Sequence, residues 1–248
     1  MSVLTGALRK GYNATWGKYV FAGMYDRFLA RVEKHGLSEK RAEMLAPAYG
    51  RTIELGTGTG LNLPHYPDAV TELVLTEPYP PMVAKLQEKV RDYPRPVQLT
   101  VAGAEKLPFP DASFDTVAAA MILCTVPDPG PALAEISRVL KPGGQYLFLE
   151  HVRHADPKVA RKQDLVQIGW YWFGNECHCN RPTVQTLQEQ QYLEIAELKH
   201  DKIPGAWEFI EAMIIGRAVR TEHGLNGNGK AISDTSSQGG THSAACDC

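Results

Sequence analysis

The chain has 248 residues, 44% hydrophobic and 22% charged, with a formal net charge of -2. That length suits one globular domain with a sizeable core, and the near-neutral balance gives no basic footprint for nucleic acid. No apolar run approaches the ~18 residues of a membrane helix, and five cysteines, an odd number with no secretory leader, point to free thiols in a reducing, cytoplasmic setting.

Residues 1–48 place Tyr12, Trp16, Tyr19, Phe21, Tyr25, Phe28, Leu29 and Val32 at three- and four-residue spacing, which predicts two amphipathic helices. Tyr19, Met24 and Tyr25 on those helices offer a lid. From residue 49 to about 220 short apolar runs alternate with helical patterns, the signature of βαβ units and a mainly parallel sheet. Strands are expected at 52–55, 72–76, 97–102, 114–120, 145–150, 192–199 and 212–218. Pro80-Pro81 opens a helix running to about Asp92, because proline is tolerated in a first turn. Pro131 opens another that ends at Lys141, where Pro142-Gly143-Gly144 stops it. The last two strands flank Pro204-Gly205 and Trp207 and are expected to pair antiparallel at the sheet edge. After Arg220 the chain turns rich in Gly, Ser, Asn and Thr, with Leu225 and Ile232 its only large aliphatics. A disordered tail is expected over 221–248.

The densest chemistry is Ile53-Glu54-Leu55-Gly56-Thr57-Gly58-Thr59-Gly60, a strand entering a glycine loop. Alternating glycines let the backbone turn sharply and approach a ligand with no Cβ in the way. Leu61-Asn62-Leu63 is expected to open a helix with free amide donors. A dinucleotide fingerprint, G-x-G-x-x-G, requires a third glycine where this chain has Leu61 or Leu63. The pattern is instead E-x-G-x-G-x-G. One βαβ step later, Glu77 closes the strand Leu73-Val74-Leu75-Thr76, where a carboxylate can accept hydrogen bonds from both hydroxyls of a ribose.

The E-x-G-x-G-x-G pattern resembles motif I of the class I S-adenosylmethionine methyltransferases. The run from Ala102-Gly103-Ala104-Glu105 through Leu107-Pro108-Phe109-Pro110-Asp111 to Phe114-Asp115 is similar to the A-E-x-L-P-F-P-D-x-S-F-D run of that superfamily, and Arg138-Val139-Leu140-Lys141-Pro142-Gly143-Gly144 to its R-V-L-K-P-G-G signature. The resemblance implies a Rossmann-like α/β fold: a seven-stranded, mostly parallel sheet with an antiparallel last strand and helices on both faces. It implies S-adenosyl-L-methionine as cofactor, leaving as S-adenosyl-L-homocysteine. Glu54 would face the amino end of the methionine part, Glu77 the ribose, and Ala104 and Glu105 the adenine. Gly56, Thr57, Gly58, Gly60, Asn62, Pro78, Met82 and Met121 would line the same ligand. Tyr19 and Tyr25 would cover it, with the Tyr25-Asp26 pair close by.

Three further segments, Met121-Ile122-Leu123-Cys124-Thr125-Val126, Leu149-Glu150-His151-Val152 and Cys177-His178-Cys179-Asn180-Arg181, are similar to L-C-S-V, M-E-H-V and G-C-N-L-T-R of the methyltransferase-like thiol S-methyltransferases of vertebrates and their bacterial relatives. Trp207 and Gly216-Arg217-Ala218-Val219 fit the C-terminus of that branch. Its vertebrate members begin with an apolar membrane-associating segment that this chain lacks, so a membrane address does not carry over. The branch implies a small apolar acceptor, a thiol first. The alternatives are an amine or phospholipid head group, a quinone-like ring carbon, and a non-catalytic module that only binds the cofactor. A thiol of pKa near 8.5 needs little base help. Cys124 is expected near the transferable methyl group, as a site residue or simply a small hydrophobe. His151 is the candidate general base, with a structural role the alternative. Trp170, Trp172 and Phe173, with Tyr171, are expected to wall an acceptor pocket in an insertion over about 153–190. Cys177-His178-Cys179 has no second cysteine pair, so no metal is expected. The protein is expected to act as a monomer or homodimer, without nucleic acid.

Overall fold

The computed structural model describes residues 22–222. Tyr19, the first expected helix and the tail beyond Glu222 lie outside these residues. Helix α1 (Ala22–Val32) runs through a widened turn, Glu33–Leu37, into α2 (Ser38–Leu45). Gly36 takes φ 121 in that turn, a conformation glycine adopts without strain, and so kinks the pair. There follow β1 (Gly50–Leu55), β2 (Val70–Thr76), α3 (Pro80–Arg91), β3 (Val97–Thr100), β4 (Phe114–Ala120), α4 (Pro129–Val139) and β5 (Leu140–His151). The chain then forms α5 (Pro157–Phe173), α6 (Thr183–Gln188), β6 (Leu193–Lys202) and β7 (Ala212–Arg220).

All seven strands lie in one sheet, in the order β3-β2-β1-β4-β5-β7-β6. The pairs from β3 to β5 are parallel, and β7 runs antiparallel to both β5 and β6. Side chains alternate between the faces, as the period of a strand requires. Ile53, Leu55, Val74, Val117 and Phe148 enter one core with Leu133 and Ile136 of α4. Leu73, Leu75, Ala118, Leu147 and Leu149 enter another, with Leu45 of α2 and Leu86 of α3. Strand order reverses between β1 and β4, which opens a crevice at their carboxyl ends, where ligands bind in open α/β sheets.

Two expectations are corrected. No helix follows the glycine loop; only the single turn Leu63–His65 forms. Pro64 lacks the N–H that a helix would give to the Gly60 carbonyl, and Pro67 blocks extension three residues later. The helix expected from Pro131 to Lys141 begins at Pro129, because the Asp128 side chain caps it by accepting from Gly130 N at 2.9 Å, and it ends at Val139. Pro142-Gly143-Gly144 therefore lies within β5, where the register jumps from Leu140 opposite Phe114 to Gln145 opposite Thr116.

Candidate active site

The glycine loop is held from two sides. Gly56, Gly58 and Gly60 all have left-handed backbone, with φ of 58, 61 and 82. A Cβ on Gly56 would lie 2.1 Å from Ile122 Cδ1, and one on Gly60 2.8 Å from Leu86 Cδ1. Gly58 differs: its nearest neighbour would be Tyr25 Cε1 at 4.0 Å, so this residue bares its backbone to open space under α1. The Gly58 N–H donates to Glu77 Oε2 at 2.8 Å, and the Tyr79 N–H donates to Glu77 Oε1 at 2.8 Å. Burial raises the Glu77 pKa above the ordinary value, partly offset by those two bonds. Each carboxylate oxygen keeps further acceptor capacity for hydroxyl donors.

Glu54 is 2% exposed. Asn62 Nδ2 donates to its Oε1 at 2.9 Å and the Tyr66 hydroxyl to its Oε2 at 2.6 Å. Arg41 from α2 donates to Asn62 Oδ1 at 3.0 Å and pairs with Glu33 at 3.0 Å. Burial pushes Glu54 up to about 7 despite these donors. Thr57 Oγ1 is buried in the same loop without a hydrogen-bond partner, an atom that a bound ligand would satisfy. Above the loop, Thr59 Oγ1 donates to Asp26 Oδ1 at 2.5 Å and Lys85 approaches Asp26 at 3.6 Å. These contacts pin α1 over the crevice and place the half-buried Tyr25 beside Gly58, its pKa raised to about 12 by burial. Met82, in the first turn of α3, and Ala104, after β3, are buried near the carboxyl ends of the strands, and Glu105 is half-buried. A bared glycine, a paired carboxylate and an orphaned hydroxyl fit the nucleoside and amino-acid ends of S-adenosylmethionine.

The turn after β4 is fixed more tightly than any sequence motif indicates. Met121 adopts φ 60, a strained conformation for a side-chain-bearing residue, and its N–H donates to Leu149 O at 2.7 Å. Glu150, fully buried, accepts from Ile122 N and Leu123 N at 2.9 Å each and from Cys124 N at 3.3 Å. Burial lifts its pKa to about 7, against those three bonds. On the carbonyl side, Arg181 donates to Leu123 O and, at 2.8 Å, to Val126 O, while His178 N donates to Cys124 O at 2.7 Å.

This turn brings Cys124 to His151 and Cys177. His151 Nδ1 lies 3.5 Å from Cys177 Sγ and 3.9 Å from Cys124 Sγ. All three side chains are buried. Burial lowers the His151 pKa, but the Cys177 sulfur, Glu150 and the Ile210 backbone together outweigh it and the net shift is upward. The hydrogen bond between the thiols holds Cys177 toward thiolate and raises Cys124. Of the Cys177-His178-Cys179 run only Cys177 joins this group; Cys179 Sγ faces Gln167 Oε1 at 3.4 Å.

The aromatic run divides. Trp170 and Phe173, three residues apart on α5, share a face with ring centroids 5.8 Å apart. Trp170 also meets Phe209 at 5.7 Å and Trp207 at 6.4 Å. Trp172 turns away to Tyr171, edge-on at 5.3 Å. The three residues therefore do not form one wall. Trp170 and Phe173 line an outward-facing apolar groove with Leu165, Val166, Trp207 and Phe209, and the inner side of Trp170 packs in the cluster with Cys124 and Cys177.

Arg41, Tyr66, Glu150 and Arg181 were not singled out from the sequence. Glu150 and Arg181 stand inside quoted motifs, but nothing local assigns them the turn they hold. Arg41 and Tyr66 have no local signal, since their partners come from the opposite side of the loop.

Residues 53–148 match the family model described as a methyltransferase domain. The chain is 31% identical over 173 residues to thiol S-methyltransferase TMT1B of Rattus norvegicus, covering 68% of this chain and 70% of that one. It is 36% identical over 131 residues to phosphatidylethanolamine N-methyltransferase of Cereibacter sphaeroides, covering 49% and 63%. Among solved structures, a SAM-dependent methyltransferase of Thermotoga maritima, described as a possible histamine N-methyltransferase, superimposes with a TM-score of 0.61 at 22% identity, over 81% of this chain and 97% of that one. The chain belongs to the class I S-adenosylmethionine-dependent methyltransferases. It is an enzyme of that class, and its cofactor is S-adenosylmethionine. Among the described residues no helix is long and apolar enough to cross a membrane.

Proposed function

We propose that this enzyme methylates a small, apolar thiol, and that the crevice between the glycine loop and Glu77 holds the methyl donor. The observation that carries the acceptor reading is the 31% identity to a thiol S-methyltransferase over 68% of the chain. The surroundings of Cys124 agree with it. The turn after β4 ends in a buried cluster of Cys124, Trp170, Cys177 and Ile210. A thiolate and a sulfonium lose their charges as methyl transfers, so low polarity favours the reaction over water.

S-adenosylmethionine, when bound, supplies a sulfonium methyl group to an in-line nucleophile. The protein's part is alignment and exclusion of water. Glu77 and the Gly58 backbone would hold the ribose. Glu54, with Asn62, would orient the amino-acid end from below, and Ala104 and Glu105 would flank the adenine. Asp26 would keep Tyr25 over the site. His151 was expected as a general base; its Nδ1 faces the two sulfurs, and in this reading it takes no proton from the acceptor. The acceptor would enter past Trp170 from the apolar groove.

The second reading is N-methylation of an amine head group, favoured by the 36% identity to a phosphatidylethanolamine N-methyltransferase. A methyl-transfer screen over small thiols, amines and phenols separates the two. The proposal expects turnover of apolar thiols above all others. Turnover of ethanolamine lipids with none of thiols would replace it.

A further inference from the structure

We propose that Cys124, His151 and Cys177 form a three-ligand site for a zinc-class divalent ion. They come from three separated segments: the turn after β4, the end of β5 and the loop after α5. Their ligand atoms nevertheless lie within 4.8 Å of one another. The distances of 3.5 and 3.9 Å from His151 Nδ1 to the two sulfurs are near those of a tetrahedron. With metal–sulfur bonds of about 2.3 Å and metal–nitrogen bonds of about 2.0 Å, its nitrogen–sulfur edges are about 3.5 Å and its sulfur–sulfur edge about 3.8 Å, so the Cys177 distance fits and the Cys124 distance is about 0.4 Å long.

Each ligand is already fixed by the fold. Glu150 and His178 hold the Cys124 backbone on both sides. His151 closes β5 in register with Met213. The Cys177 carbonyl accepts from Gln167 Nε2 at 3.0 Å. Nδ1 faces the two sulfurs, so the ring is turned toward the cysteines. Two thiols and an imidazole select soft or borderline metals over calcium or magnesium, which require oxygen ligands. Among the described residues no fourth His, Cys, Asp or Glu completes the group. The fourth position is therefore left to a non-protein ligand, as in open zinc sites. This site stands whether or not the acceptor is a thiol.

The test is metal content and spectroscopy of the full chain, purified under reducing conditions. The proposal expects about one zinc per chain by elemental analysis. Replacement by cobalt(II) is expected to give thiolate-to-metal charge-transfer bands and intense tetrahedral d–d bands. Cys124→Ser, Cys177→Ser and His151→Ala should each weaken metal binding at least tenfold, and Cys179→Ser should leave it unchanged. A folded wild-type chain that binds S-adenosylmethionine yet takes up neither zinc nor cobalt overturns the site. So does undiminished zinc in Cys124→Ser and Cys177→Ser.

Discussion

The Gly58 N–H donates to Glu77 Oε2 at 2.8 Å, joining the loop after β1 to the carboxylate that closes β2. One residue thus orders the loop and presents acceptors to the crevice. Glu77→Ala should weaken S-adenosylmethionine binding by about 1.5–3 kcal/mol, the size of hydrogen bonds to a charged group. Calorimetric titration measures it, and unchanged affinity removes Glu77 from the ribose site.

Gly56 and Gly58 share a left-handed backbone but face different surroundings, so the same substitution should do different things. Gly56→Ala drives a Cβ to 2.1 Å from Ile122 Cδ1 and should cost about 1–3 kcal/mol of stability. Gly58→Ala meets nothing closer than 4.0 Å, so its stability loss is the smaller, backbone part alone. Its methyl group would occupy the cofactor's approach, and binding should suffer more than folding. Thermal denaturation and titration of both variants test this. Equal loss of affinity per unit of lost stability would show that Gly58 has no ligand-facing role.

Burial raises Glu54 from 4.5 to about 7. Between those values the folded chain holds the proton more often than the unfolded one, so stability falls as pH rises. The contribution is whole below about pH 4.5 and gone above about pH 7. In Glu54→Gln the amide oxygen can still accept from Asn62 and the amide can donate to Tyr66, so the fold should persist and the fall between pH 5 and pH 7 should shrink. Melting temperatures of both proteins across that range decide it; parallel curves contradict the assignment. The same variant should bind S-adenosylmethionine less tightly, since on the proposed placement Glu54 faces its amino-acid end.

Asp26 ties α1 to Thr59 at 2.5 Å and approaches Lys85 at 3.6 Å. Asp26→Ala should loosen this cover with little change in melting temperature, because the side chain is 37% exposed. Affinity for S-adenosylmethionine should fall by about fivefold, one hydrogen bond's net worth of about 1 kcal/mol. Faster ligand dissociation in stopped flow would locate the effect in the cover; an unchanged rate would place the helix outside the binding step.

The strands were legible because their alternation and punctuation are local: Ile53 to Leu55 and Val117 to Ala119 announce both period and burial. The glycine loop and Glu77 were legible for the same reason. The missing helix after Gly60 was also written locally, in Pro64 and Pro67. What was not legible depends on distance in sequence. Arg41 reaches Asn62 from α2, and Glu150 gathers three amides from a turn 26 to 28 positions away. Cys124, His151 and Cys177 meet only when β4, β5 and the loop after α5 are assembled, so the Cys177-His178-Cys179 run alone could not show the grouping. The Trp170–Phe173 run looked like one surface, but helical geometry turns Trp172 away from the other two.

The most direct test is a crystal structure of the full chain with S-adenosylhomocysteine. The account predicts ribose hydroxyls within hydrogen-bonding distance of Glu77, the nucleoside lying over Gly58, and the amino-acid end toward Glu54 and Asn62. A nucleoside bound elsewhere on the sheet, with Glu77 still closed on Gly58 and Tyr79 alone, would contradict it.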